Sequence, residues 1–202
     1  MSIKKPVISD IIPVKNNHLV IREEVDPNTG AKVTYVVGIM QRAESRNQNG
    51  RSYPRKLLQR EATRYMQEEI QESRAFGELD HPDSPVVNLK NASHTIEKLW
   101  WEGDDLMGKV EILDTPSGRI VESILRAGKT LGISSRGLGS VKEQAGGVEV
   151  QEDFELVCFD FVSNPSTHGA FMRPMNEGVD TNLEVNKYAG VNAVISDILR
   201  GE

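Results

Sequence analysis

The sequence predicts an α+β domain, a mostly antiparallel β-barrel-like core or sheet flanked by helices. Three observations predict it. Strand-like segments dominate, only two long stretches before the tail carry helical periodicity, and there is no strand–helix–strand alternation of the kind that builds a parallel sheet. With 202 residues and 38% hydrophobic content, the chain suits one ordinary core. That domain is expected over 1–174. A polar, Asn-rich tail over 175–202 follows, in which 191–199 forms a short helix.

The elements follow from local signals. Residues 19–25 (LVIREEV) read as a strand, 26–30 (DPNTG) as a turn and 33–37 (VTYVV) as a β-branched partner, together a hairpin. Residues 45–53 (SRNQNGRSY) make a polar exposed loop in which Gly50 supplies positive φ. Pro54 opens a helix, where its missing N–H is not needed, and Leu58, Ala62, Tyr65, Met66 and Ile70 recur at helical spacing through Ser73. Pro82 then biases His81 toward an extended conformation. Residues 94–101 and 106–113 alternate around Glu102-Gly103-Asp104-Asp105 as a second hairpin. Residues 116–127 (PSGRIVESILRA) carry Pro near the start, an apolar stripe of Ile120, Val121, Ile124 and Leu125, and Gly128 at the end, the marks of a short helix. A further strand pair spans 132–142 and 148–162, joined by Gln144-Ala145-Gly146-Gly147.

Composition excludes several function classes. A net charge of −6 repels a phosphate backbone, so no nucleic acid partner is expected. Arg51, Arg55, Lys56 and Arg60 read as the solvated face of a helix. Cys158 is the only cysteine, which rules out an internal disulfide or a thiolate metal cage and leaves a buried, inert thiol. His18, His81, His94 and His168 show no helical metal-binding spacing, and no metal or other cofactor is expected. No run approaches the ~18 to 20 apolar residues that cross a bilayer, and the N-terminus lacks the apolar core of a signal peptide. The expected setting is the cytoplasm of the cell that makes the protein, with no membrane partner.

Amide hydrolysis needs a nucleophile activated by a base, and serine and histidine are the natural candidates here. Residues 132–140 (GISSRGLGS) crowd small side chains into a strand where large β-formers would pack better. The functional reading is close access: glycines let a substrate carbonyl reach backbone N–H groups, with Arg136 as a fixed cation beside developing negative charge. The plainer reading is a Gly-Ser-rich turn. His81 is either a general base or a turn histidine bonded to backbone, and Glu78 and Asp80 stand close enough in sequence to orient its ring. His94 is a surface histidine or a supporting partner. His18 and His168 look like loop residues.

Four segments taken in order carry a resemblance. They are Asn47-x-Asn49-Gly50-Arg51-x-Tyr53-Pro54 before a helix, Gly77-Glu78-Leu79-Asp80-His81-Pro82, Trp100-Trp101-x-Gly103-Asp104, and Gly132-Ile133-Ser134-Ser135-Arg136-Gly137-Leu138-Gly139-Ser140. In order and spacing they resemble the prohead core protease family of T-even-type tailed phages, which is distantly similar to the herpesvirus maturation proteases. The resemblance implies a herpesvirus-protease-like β-barrel core enclosed by helices. It implies that His81 is the family's histidine and Ser134 its nucleophile, with Ser135 the rival, since neighbours on a strand face opposite sides and only one can point at His81. It implies a third member just before Val162-Ser163-Asn164-Pro165, which is Asp160; read plainly, Asp160 is an edge-strand aspartate sharing its face with Leu156 and Cys158. His94 is the candidate if the second histidine of the herpesvirus relatives is the better guide. Backbone N–H groups around Arg136 and Gly137 are then expected to hold the oxyanion, while the Arg136 side chain either supports that role or pairs with Glu78 or Asp80 to brace the strands.

The implied function is that of a serine endopeptidase that cuts the scaffold and core proteins, the major capsid protein precursor and itself, inside the assembling prohead in the host cytoplasm. Cleavage is expected after glutamate with an aliphatic residue two positions earlier. Ile21-Arg22-Glu23 and Ile70-Gln71-Glu72 fit, the second being shielded by its helix, so self-processing is expected near Glu23 or beyond Pro174. A dimer or ring is compatible with the relatives. The competing reading is a non-catalytic scaffold component that keeps the protease fold.

Overall fold

The computed structural model describes residues 7–9, 22–25, 32–144, 146–170 and 172–174. In chain order these carry β1 (Val7–Ser9), β2 (Arg22–Val25), β3 (Lys32–Arg42), β4 (Arg51–Ser52), α1 (Arg55–Tyr65), β5 (Phe76–Glu78), β6 (Ala92–Glu102), β7 (Asp105–Ile112), α2 (Pro116–Arg126), β8 (Gly132–Leu138), β9 (Val141–Gln144), β10 (Gly147–Val150), β11 (Glu155–Val162) and β12 (Arg173–Pro174). The turn expected over 26–30 and the tail helix expected over 191–199 lie outside the described residues.

Mostly strands with few helices, the fold is mixed, as the periodicities predict. The largest sheet has the order β12-β3-β7-β6-β5, with β2 also paired to β3; β1-β8-β11 and β4-β10-β9 form two smaller sheets. Among the described residues there is no closed barrel, which corrects that part of the expectation. Between the six-stranded sheet and the β1-β8-β11 sheet, the ladder pairing among the described residues is a single isolated parallel bridge, Leu79 with Phe161. One residue later Asp80 adopts a positive φ of 67° and turns the chain off the ladder, so the contact does not extend into a closing seam.

Period-two burial shows why the large sheet holds. Along β7, Leu106, Gly108, Val110 and Ile112 are buried while the residues between them are half-exposed. Val36 and Met40 of β3 and Ile96 and Leu99 of β6 join the same core. Each such side chain contributes about 1.5–3 kcal/mol on burial. α2 packs its Val121 and Leu125 against β6 and β7, and α1 lies against β11. By contrast, β8 is buried along nearly its whole length on both faces, and β11 is almost as enclosed.

Three local expectations are refined. The helix expected through Ser73 is α-helical only to Tyr65; a π-helical turn over Met66–Ile70 follows, where Gln71 N–H reaches back five residues to the Met66 carbonyl. Glu72 therefore lies in an exposed turn and has no helical shield. The strand pair over 132–142 and 148–162 is two pairs: β8 with β11, and a β9–β10 hairpin that joins β4. The break falls at Ser140, whose N–H and hydroxyl both bond the Asp153 carboxylate at 3.0 and 2.8 Å. α2 forms as its sequence predicts, with Thr115 as N-cap accepting from Gly118 N–H at 3.0 Å and Gly128 at φ 69° closing the C-terminus.

Candidate active site

The site is assembled on the β8–β11 pair. Ser134 sits opposite Asp160, and Arg136 opposite Cys158, so all four share one face. Ser135 sits opposite Phe159, whose ring packs edge-on against Tyr65, and faces the other way. Strand alternation thus separates the two neighbouring serines. A register shift between Leu156 and Cys158 places Leu156 opposite Gly137, on the side away from Asp160. The expected apolar company of Asp160 is therefore half removed by a one-residue bulge, and its carboxylate is fully buried.

His81 arrives from the other sheet. Glu78 ends β5, Asp80 N–H bonds the Phe161 carbonyl at 2.8 Å, and the left-handed Asp80 swings the next residue over β8 and β11. Aspartate is among the few non-glycine residues that tolerate this conformation. Asp80 itself is exposed, so its contribution is to the backbone. The His81 ring then lies with Nδ1 2.7 Å from Asp160 Oδ2 and Nε2 3.2 Å from Ser134 Oγ. A carboxylate only accepts, so Nδ1 carries the proton and Nε2 is left with a lone pair facing the Ser134 hydroxyl.

Asp160 is held from several sides. Arg136 Nε donates to Oδ2 at 2.9 Å and its Nη2 to Oδ1 at 3.2 Å, and the Glu78 N–H donates to Oδ1 at 2.9 Å. Burial works to raise the Asp160 pKa, but the His81 hydrogen bond, the Arg136 charge and the Glu78 N–H outweigh it and keep the carboxyl below its ordinary value. Arg136 also donates to Glu78 Oε1 at 2.8 Å and to the Ser84 carbonyl at 2.7 Å. Burial acts against its charge, yet the two carboxylates raise its pKa, so it stays a guanidinium. Of the partners expected for Arg136, Glu78 is the one it takes.

A profile of the family described as prohead core protein serine protease matches residues 5–181. The prohead core protein protease of Enterobacteria phage T4 is 37% identical over 144 residues, covering 69% of this chain and 68% of that relative.

The chain belongs to the prohead core protein serine protease family.

A solved structure titled as the bacteriophage T4 capsid assembly protease also aligns, with a TM-score of 0.67 and 27% identity over 80% of this chain and 96% of that one. Within this family member, the remaining candidate residues fall as follows. Arg136 and Gly137, expected to offer backbone N–H groups to a carbonyl, have strand partners on both sides, Ser9 and Ile8 on β1 and Cys158 and Leu156 on β11. The glycines of β8 serve packing: a Cβ on Gly137 would fall on the Phe154 ring, and one on Gly132 on the Pro165 ring. His94 is fully buried, not on the surface as one reading had it, and its ring is committed elsewhere, with Nδ1 2.9 Å from the Ser93 hydroxyl and Nε2 3.0 Å from the Phe159 carbonyl. Burial pushes its pKa down to about 4. His168 is exposed, and His18 lies outside the described residues. Sequence reasoning missed Ser166, buried with its Oγ 3.4 Å from Ser134 Oγ. Its one sequence signal was its place directly after Pro165 in the Val-x-x-Pro element.

Proposed function

We propose that the chain is a serine endopeptidase of phage prohead maturation, with Ser134 as nucleophile, His81 as general base and Asp160 as the residue that orients and charges the histidine. One observation carries this reading: Asp160, His81 and Ser134 form an unbroken relay, 2.7 Å on one side of the imidazole and 3.2 Å on the other. Ser134 Oγ attacks the scissile carbonyl as its proton passes to His81 Nε2. The imidazolium formed is stabilised through Nδ1–H by the Asp160 carboxylate, which Arg136 holds in place. Nε2 then returns the proton to the leaving amine, and a water activated by the same nitrogen hydrolyses the acyl-enzyme.

The substrates proposed are scaffold and core proteins and the major capsid protein precursor, inside the assembling prohead of the infected cell, with cleavage after glutamate. The names of the T4 relatives support this setting. Asp160 would then stand where the distant herpesvirus proteases are expected to use a second histidine. Self-processing is part of the reading. Glu23 lies in β2, paired opposite Thr34, so cleavage there requires that strand to peel from β3. Mass spectrometry of the purified chain after prolonged incubation tests both points. Wild type and Ser135→Ala are expected to be cut at Glu23, at the exposed Glu72 or beyond Pro174, whereas Ser134→Ala stays intact, with a loss of at least ~10³-fold in rate. Intact ends in wild type remove the self-processing claim, and equal cleavage by Ser134→Ala removes the assigned nucleophile.

A further inference from the structure

We infer that the Ser166 hydroxyl is the oxyanion donor of this site. The inference rests on the reading of Ser134 as nucleophile and adds a residue to it. A tetrahedral intermediate needs a donor aimed at its oxygen. The Arg136 and Gly137 backbones lie in a strand paired on both sides, and the Arg136 side chain is occupied by Asp160, Glu78 and the Ser84 carbonyl. Ser166 is 1% exposed and its Oγ lies 3.4 Å from Ser134 Oγ.

The direction of that contact follows from proton counting. His81 Nδ1 donates to Asp160, so Nε2 accepts, and the single Ser134 proton is directed to it. Toward Ser166, Ser134 Oγ can therefore only accept, and Ser166 O–H is the donor. As the Oγ–carbon bond forms, the proton moves to Nε2 and the carbonyl π pair moves to its oxygen. Bonded to the tetrahedral carbon, Oγ is an ether-type oxygen of low basicity, and the oxyanion on the same carbon becomes the stronger acceptor within reach of Ser166. The hydroxyl then switches from nucleophile to oxyanion with no backbone movement.

The segment holding Ser166 is fixed for this task. Pro165 packs into the space left by the missing side chain of Gly132. Ile133 N–H bonds the Ala170 carbonyl at 2.8 Å, Ala170 N–H the Thr167 carbonyl at 3.0 Å, and Met172 N–H the Leu131 carbonyl at 3.1 Å. The loop is thus clipped to the start of the strand that carries Ser134.

The test compares Ser166→Ala, Ser166→Thr and Ser166→Val in full-length protein cleaving a glutamate-containing peptide, with rates normalised to sites titrated by a fluorophosphonate. Thr and Val share a shape and differ in the hydroxyl, so their ratio separates chemistry from packing. Ser166→Ala and Ser166→Val are expected to lose about 10²-fold in kcat with KM changed less than about threefold, while Ser166→Thr retains most of the rate. Equal kcat in the Thr and Val variants, or Ser166→Ala within threefold of wild type, overturns the inference while leaving Ser134 in its role. A wild type that neither cleaves nor labels overturns both.

Discussion

At the scale of single residues, Arg136 explains why a charged side chain occupies a strand buried on both faces. Its guanidinium meets two carboxylates and a carbonyl, each at hydrogen-bond distance, and Asp160 and Glu78 are themselves fully buried. Removing one member of such a cluster strands the others, typically at a cost of about 3–5 kcal/mol. Arg136→Met is therefore expected to lower Tm by on the order of 10 °C, as read by differential scanning calorimetry; a Tm within about 2 °C of wild type contradicts the bracing role. The pairing with Glu78 was one of two options open in the sequence. Asp80, the other, was plausible only because sequence distance does not reveal the left-handed turn that leaves it in solvent. Resemblance favours Ser134 over Ser135, since alternation says that one of the two faces His81 but not which; it is the Ser134 Oγ that lies 3.2 Å from His81 Nε2.

At the scale of elements, β8 shows how a correct observation attracts the wrong cause. Its small residues were legible as unusual, and two readings stood, close access by a substrate and a Gly-Ser-rich turn. The structure supplies neighbours instead: Phe154 beside Gly137 and Gly139, and Pro165 beside Gly132. Gly137→Ala is expected to displace the Phe154 ring and cost about 1–3 kcal/mol, measured as a shift in the urea midpoint at unchanged m-value. An unchanged midpoint contradicts the packing explanation. The bulge in β11 was invisible in the sequence for a related reason. Glu155 to Val162 reads as continuous alternation, and only pairing with β8 reveals that one residue is skipped, which moves Leu156 off the Asp160 face. Helix α2 was legible almost to the residue because its cap, proline and terminal glycine are local signals.

At the scale of the molecule, the family motifs divide into two groups. Tyr53 packs edge-on at 5.4 Å against Phe154, the ring that covers Gly137 of β8, and Arg55, next after the first motif segment, stacks 3.8 Å over Trp101 while pairing with Asp104 at 2.9 Å, so two of the motif segments are tied together structurally. The other two supply His81 and Ser134. Sheet order was not legible, because it depends on pairings between distant segments, and closure into a barrel was inferred by resemblance and fails at the Leu79–Phe161 bridge. Buried His94 links the whole fold to pH. Its folded pKa of about 4 lies below the ordinary 6.5, so the unfolded chain takes up its proton first. The stability this provides is complete above pH 6.5 and is lost as pH falls toward 4, a change of roughly 3 kcal/mol. Urea titrations are expected to show a smaller loss between pH 7 and 4.5 in His94→Gln than in wild type, and identical losses would contradict the assignment. The central claim is that Ser134, and no other serine, is activated by His81. Fluorophosphonate labelling of the folded chain, followed by peptide mapping, tests it most directly: a single phosphonyl adduct on Ser134, absent in His81→Ala, is the predicted result, whereas an adduct on Ser135 or Ser166, or labelling of Ser134 that survives loss of His81, would contradict it.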